Sequence, residues 1–121
     1  MSGVAGHLQE AGECVRAFNH ARVAVAELEQ PSDVYGLMAD LYSVIAGLDQ
    51  AVGSLVRPLE QQLAGGRLQV VAGAPFEGDP AAAVAAATGL LRQAQQATGD
   101  AYKALAAAQE AISGLYNPEG E

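Results

Sequence analysis

Three side chains near the start of the chain have the chemistry to bind a metal ion. His7, Glu10 and Cys14 are spaced so that a helix would place all three on one face. An imidazole, a carboxylate and a thiolate together form a donor set that transition metals accept. A closed site usually needs a fourth ligand, and a catalytic site needs three ligands and a water. The alternative is a small thiol near an apolar seam, with an exposed His and Glu beside it. We favour that alternative and expect no metal and no cofactor.

No group of residues matches a catalytic motif. Neither His7 nor His20 shares a motif with a serine or cysteine nucleophile. The 14 carboxylates are scattered along the chain, and no pair stands out for acid–base chemistry. The segment 73–79 has glycines but lacks the Gly-Lys-Ser/Thr of a phosphate-binding loop, and its two acidic residues would repel phosphate. We therefore expect a protein that is not an enzyme and has no catalytic residues.

Length and charge narrow the class of protein further. The chain has 121 residues, enough for one domain, and 6 basic against 14 acidic residues give a net charge of -8. That balance disfavours nucleic acids and anionic membranes as partners. Cys14 is the single cysteine, so an intramolecular disulfide is excluded. The first ten residues lack the basic and apolar regions of a signal peptide, and no apolar run is long enough to span a membrane. We expect a cytoplasmic protein, with export by a route that needs no cleaved signal left open.

Helix-breaking residues divide the chain into three helical segments. Pro31-Ser32-Asp33 begins the second segment and Gly65-Gly66 ends it, whereas Asp79-Pro80 begins the third and Asn117-Pro118 ends it. The predicted helices cover about 3–29, 33–64 and 80–116, with a connection over 65–79 and a short tail over 117–121.

Apolar residues recur at alternating steps of three and four in all three segments. In the second segment they are Val34, Met38, Leu41, Ile45, Leu48, Val52, Leu55 and Leu59; in the third they begin at Val84 and end at Leu115. A period of 3.5 residues is typical of helices that wrap around each other as coiled coils. The stripes are wide enough for each helix to contact two neighbours. The pattern predicts an all-α fold, an elongated antiparallel three-helix bundle, with Leu48 buried in mid-bundle.

Arg22 interrupts the apolar stripe of the first segment. A charged residue at such a position either fixes the register of the packed helices or extends its charged group to solvent past the apolar part of its own side chain. Alternatively, the helix rotates slightly and buries Ala21 and Leu28 instead. We favour the rotated helix.

Three sets of residues are candidates for an interaction surface. The outer face of the second helix is lined with small residues, among them Gly36, Ser43 and Gly47, which would let another helix approach closely. The connection carries Leu68, Val70 and Phe76, which would pack over one end of the bundle or contact a partner. Ala104 and Ala111 lie on the flank of the third helix, which has few charges.

The segments 31–37, 65–68 and 79–84 resemble those of small alanine-rich helical proteins from high-GC actinobacteria. The resemblance covers about two thirds of the chain and implies a bacterial origin. In size, acidic surface and lack of a signal peptide, the chain is also similar to the WXG100 proteins, which are small exported helical hairpins. It lacks their Trp-X-Gly turn, and Tyr102 is followed four residues later by Ala106 rather than by an acidic residue.

These patterns favour a non-enzymatic helical module for protein–protein interaction or an adaptor. Sparse charge on the third helix and small residues on the second predict self-association as a dimer, with a different protein as the other possible partner. The alternative is an export-coupled, WXG100-like helical protein. An enzyme or a metal-binding protein is the least favoured class.

Overall fold

The computed structural model describes residues 3–21 and 28–118, and all regular elements in these ranges are helices. They are α1 (Val4–His20), α2 (Pro31–Gly53), α3 (Val56–Ala64) and α4 (Pro80–Ile112). Within the described ranges there is no strand. Helices α3 and α4 pack on one another, and the predicted all-α class is confirmed.

The chain divides into two compact units. One comprises Met1–Val34 with Leu115–Glu121, and the other comprises Tyr35–Gly114. The second unit contains most of α2 and all of α3 and α4, and the candidate surfaces discussed below belong to it.

Helix α1 is shorter than predicted. It ends at His20, whereas the sequence predicts a helix to residue 29. Arg22 and the rest of 22–27 lie outside the described residues, and residues 28–30 are not helical. Ala21 and Leu28 are both exposed, so the prediction that a rotated first helix buries them is wrong.

The predicted second helix, 33–64, is two helices in the structure. Helix α2 begins two residues earlier, at Pro31, and ends at Gly53, and α3 begins at Val56. Pro58 explains the interruption, because its ring lacks an N–H and clashes with the carbonyl four residues earlier, at Ser54. The Ser54 hydroxyl donates to the Ala51 carbonyl at 2.6 Å.

Helix α4 begins where the sequence predicts and ends four residues early. The Asp79 carboxylate accepts a hydrogen bond from the Ala82 backbone N–H at 3.0 Å, and Pro80 occupies the first turn. The helix stops at Ile112 instead of 116. Ser113 donates its hydroxyl to the Glu110 carbonyl at 2.7 Å, and Gly114, a poor helix former, follows.

Helices α2 and α4 form an antiparallel pair in the second unit. The Thr98 hydroxyl donates to Asp49 Oδ1 at 3.1 Å, Tyr42 contacts Tyr102, and Gln109 Nε2 lies 3.5 Å from the Tyr35 carbonyl. Residue numbers rise along α2 while those of the partners fall along α4, which defines the antiparallel direction. The most buried residues of this unit are Val56 on α3 and Val84 and Thr88 on α4, two helices that also contact each other.

The predicted apolar seam of α2 is only half buried against its neighbours. Met38, Ile45 and Val52 are half-buried, but Leu41 and Leu48 are 47% and 40% exposed. The expectation that Leu48 is buried in mid-bundle is therefore wrong. The helix is rotated relative to that expectation, because the aromatic and polar residues Tyr42 and Asp49 take the inward positions.

Candidate functional site

The contact between α2 and α4 is a seam of mixed polarity, which we call the inner seam. It consists of Met38, Tyr42, Ile45, Asp49 and Val52 on α2 and Leu91, Gln95, Thr98, Tyr102 and Leu105 on α4, all of them half-buried. The Thr98 hydroxyl lies within hydrogen-bond distance of both Asp49 Oδ1, at 3.1 Å, and the Gln95 carbonyl, at 2.9 Å. Buried polar groups need such partners, so the pairing lets Asp49 lie between the helices at low cost.

An open polar cavity of about 300 Å³ lies along one edge of the inner seam. It is lined by Asp49, Arg92, Gln95, Gln96, Gly99, Tyr102 and Lys103. The lining combines one carboxylate with two cations and contains no serine, cysteine or histidine that could act as a nucleophile or base. The cavity offers hydrogen-bond donors and acceptors and charges of both signs.

A second stripe of apolar residues, which we call the open face, runs along the exposed side of both helices. It consists of Leu41, Val44 and Leu48 on α2 and Leu90, Ala94, Ala97, Ala101, Ala104 and Ala111 on α4, all of them exposed. Leu90 is the most exposed of the large ones, at 63%. A stripe of this length is unusual on a surface that contacts only water.

The two halves of the open face lie on the same side of the hairpin. Each open-face residue immediately precedes an inward-facing one, as Leu48 precedes Asp49 on α2 and Ala101 precedes Tyr102 on α4. A step of one residue rotates a side chain by about 100° around the helix. The two helices are right-handed and antiparallel. The stripe one residue before the inward-facing stripe therefore lies on the same side of the hairpin in both helices. The hairpin therefore has one continuous apolar face.

Ala104 and Ala111, two of the residues predicted for interaction, belong to this open face. Both are exposed, and Ala104 immediately precedes the half-buried Leu105. Small side chains here would let a neighbouring helix approach to near the short end of the usual range of about 8–10 Å.

The small residues predicted to form one face of α2 do not all have the same surroundings. Gly36, Ser43 and Gly47 are exposed, and a Cβ added at either glycine would meet nothing within 4 Å. Ser43 donates its hydroxyl to the Ala39 carbonyl at 3.2 Å. By contrast, a Cβ at Gly53 would lie 2.5 Å from Gln95 Nε2. Within α2, the tip of the Gln95 side chain of α4 thus lies against Gly53.

The predicted residues of the 65–79 connection lie beside a second open cavity, of about 350 Å³. Leu68 and Val70 are half-buried and line it together with Gln69, Ala72, Glu77, Gly78 and Pro80. Phe76 does not line it and is 48% exposed. The Glu77 carboxylate accepts a hydrogen bond from the Gly73 backbone N–H at 2.6 Å, which holds this end of the connection in a tight turn.

Phe76 has a backbone conformation that is rare for its residue type. Its φ of 66° lies in the left-handed region, where the neighbouring Gly73 and Gly78 have φ of 83° and 80°. A bulky side chain is disfavoured there, and such strain is often found at functional positions. The sequence marks Phe76 by its apolar character, but not by this strain.

The candidate metal ligands all belong to α1, but their side chains do not converge on one point. His7, Glu10 and Cys14 are all exposed, and Cys14 is a free thiol. Among residues 3–21 and 28–118, no three His, Cys, Asp or Glu side chains are grouped so that they could hold a metal ion.

Within residues 3–21 and 28–118, none of the helices is both long enough and apolar enough to cross a membrane.

The inner seam includes residues that the sequence analysis did not single out. Tyr42 and Asp49 are spaced seven residues apart, as are Gln95 and Tyr102. This spacing places each pair on one stripe of its helix, but it does not tell which stripe faces inward.

No protein-family model, curated protein or solved structure matches the chain.

Proposed function

We propose that this protein is a non-enzymatic helical interaction module, which acts by presenting the open face of the α2–α4 hairpin to another helical surface. The observation that carries the proposal is the exposure of Leu41, Leu48 and Leu90 on one continuous side. Each buried large apolar side chain contributes about 1.5–3 kcal/mol, so covering this face would supply much of a binding energy.

The chemistry of the described residues also supports an interaction role. The candidate ligands on α1 do not converge with other donors. The small-residue face around Ser43 and Gly47 is the rival interaction surface, since it too is exposed.

Affinity purification from native cells tests the proposal and separates the two surfaces. Three baits are compared: wild type, the open-face variant Leu41→Arg with Leu48→Arg, and the rival-face variant Ser43→Arg with Gly47→Arg. All four positions are exposed and on α2, so both variants add the same charge to one helix. We expect wild type and the rival-face variant to recover the same protein, which the open-face variant loses.

Two results would count against this assignment. If wild type recovers nothing beyond a tag-only control, the interaction role is wrong. If only the Ser43 and Gly47 variant loses the partner, the protein is still an interaction module, but the small-residue face is its binding surface. Circular dichroism of each purified bait is the control for folding.

An export-coupled helical protein is the second candidate, and the antiparallel pairing of α2 with α4 favours it. The WXG100 proteins that the sequence resembles are helical hairpins, although here α3 and the connection lie between the two paired helices. For the interaction module, by contrast, we propose a cytoplasmic location. Fractionation of native cells separates these candidates, because an exported protein would accumulate in the culture medium.

A further inference from the structure

We infer that the segment Arg67–Val71, in the connection between α3 and α4, binds an extended peptide as an added β-strand, with a basic side chain of that peptide beside Glu77. This surface is separate from the open face, so the inference goes beyond the proposed function. It depends on the straight backbone of the segment, on its unbonded N–H and C=O groups, and on the lining of the adjacent cavity.

The segment Arg67–Val71 has the form of a single, unpaired β-strand. It contains no helix, turn or bend. Leu68 and Val70 are half-buried, whereas Gln69 and Val71 are exposed. Exposure alternates in this way along a strand because successive side chains point to opposite faces. One face of the segment is therefore anchored to the protein, and its backbone extends along the surface.

The backbone of this segment is almost without hydrogen bonds in the described part of the chain. None of the N–H groups of Arg67–Val71 donates to another described residue, and of the C=O groups only that of Val71 accepts, from the Ala74 N–H at 3.0 Å. A row of unpaired backbone groups is what allows a sheet edge to add another strand. Exposed edges are usually blocked by proline or by charge, and 68–71 contains neither.

The open cavity of about 350 Å³ beside the segment indicates which side chain of the peptide fits there. Leu68 and Val70 line it from the segment, and Pro80 lines it at the start of α4. Among the described residues that line this cavity, Glu77 is the only charged one. A lysine side chain matches this lining, because its methylene groups cover apolar surface while its ammonium group reaches a carboxylate.

The surroundings of Glu77 favour a basic peptide over the other occupants. Its Oε1 accepts the Gly73 N–H at 2.6 Å, which fixes the carboxylate and leaves acceptor capacity for a cation. The net charge of -8 attracts a basic peptide at long range, whereas it repels a second copy of this acidic chain.

NMR of the full purified chain, titrated with the synthetic peptide acetyl-Thr-Val-Lys-Val-Thr-amide, tests the inference. A partner strand bonds to every second residue, so about four backbone hydrogen bonds form, and we expect a dissociation constant of about 1 mM or lower. The amide resonances of 68–71 should move, and their exchange with solvent should slow. Those of Leu48 and Leu90 on the open face should not change.

Matched changes test the basic side chain. Glu77→Gln retains an oxygen for the Gly73 N–H but removes the charge, and replacing the lysine of the peptide by norleucine removes the opposite charge. Each change should raise the dissociation constant about 3-fold, because the pair is exposed to solvent. Circular dichroism of Glu77→Gln is the control for folding.

Two N-methylated peptides test the strand pairing. One is methylated on the backbone nitrogens of both valines, and the other on those of the lysine and the threonines. Only alternate residues of a strand face its partner, so we expect one of the two peptides to bind at least about 10-fold more weakly and the other to stay within about 3-fold.

Four results would overturn the inference or a part of it. If the amides of 68–71 do not move at about 5 mM peptide, the segment is not a binding surface. Equal binding of the two N-methylated peptides rules out strand pairing, and equal binding by Glu77→Gln rules out the basic side chain. If the same amides move when the protein is diluted without peptide, a second copy is the occupant. The open face is tested separately by affinity purification, so the proposed function survives any of these results.

Discussion

Tyr42 of α2 and Tyr102 of α4 meet edge to face, with ring centroids 5.7 Å apart and ring planes at 88°. The edge of one aromatic ring is positive and the face of the other negative, so this geometry is favourable. The pair lies near the middle of the inner seam, one residue away from Leu41 and Ala101 of the open face. It fixes which side of each helix points inward, and therefore which apolar residues remain exposed.

A double-mutant cycle on this pair should detect their coupling. We expect Tyr42→Leu and Tyr102→Leu each to lower the free energy of unfolding, and the pair to show a coupling energy of about 0.5–1.5 kcal/mol. Urea unfolding followed by circular dichroism measures it. Tyr116→Leu is the control, because Tyr116 is 71% exposed and its loss should cost less than about 0.5 kcal/mol. Additive effects at Tyr42 and Tyr102 would show that the ring contact contributes nothing.

The two glycines Gly47 and Gly53 of α2 should respond differently to alanine. At Gly47 an added Cβ meets nothing within 4 Å, so Gly47→Ala should stabilise the protein by about 0.5–1 kcal/mol through helix propensity. At Gly53 the Cβ would lie 2.5 Å from Gln95 Nε2, and the Gln95 side chain must move. Gly53→Ala should therefore gain less. Thermal unfolding of both variants tests this, and an equal gain would mean that the Gln95 side chain moves aside at no cost.

Removing the cap of α4 should destabilise the second unit. Asp79→Ala deletes the acceptor for the Ala82 N–H and should cost about 1 kcal/mol. Asp79→Ser retains a capping oxygen and should recover most of that loss. Both are measured by urea unfolding. If the serine variant is no more stable than the alanine variant, the hydrogen bond is not the source of the effect.

Relieving the backbone strain at Phe76 should not destabilise the protein. Asparagine tolerates the left-handed region better than phenylalanine, so Phe76→Asn should change the free energy of unfolding by less than about 1 kcal/mol, despite the loss of a large apolar side chain. Val71→Asn, in the same connection and 78% exposed, is the matched control. A loss of more than about 2 kcal/mol at Phe76 would show that its ring packs tightly and offsets the strain.

The helical class and the position of the third predicted helix could be read from local patterns. The heptad period of apolar residues is a property of neighbours in sequence, and Asp79-Pro80 begins α4 through contacts within one turn. Pro58 also had a local signal, since a proline within a predicted helix marks an interruption, but the regular stripe through Leu55 and Leu59 obscured it. The end of α1 at His20 had no comparable signal, because neither proline nor glycine follows it closely.

The sequence by itself determined that this protein is helical, acidic and marked by heptad stripes, because period, propensity and charge depend on residue type and spacing alone. It did not determine which stripe faces inward. Leu41 and Leu48 follow the same seven-residue period as Tyr42 and Asp49, so the period is satisfied by either orientation. The tertiary structure decided between them through pairing across the helices, where Thr98 satisfies Asp49 and Tyr102 meets Tyr42. That choice left the leucines on the open face, because a rotation of about 100° that turns one stripe inward necessarily turns the other outward.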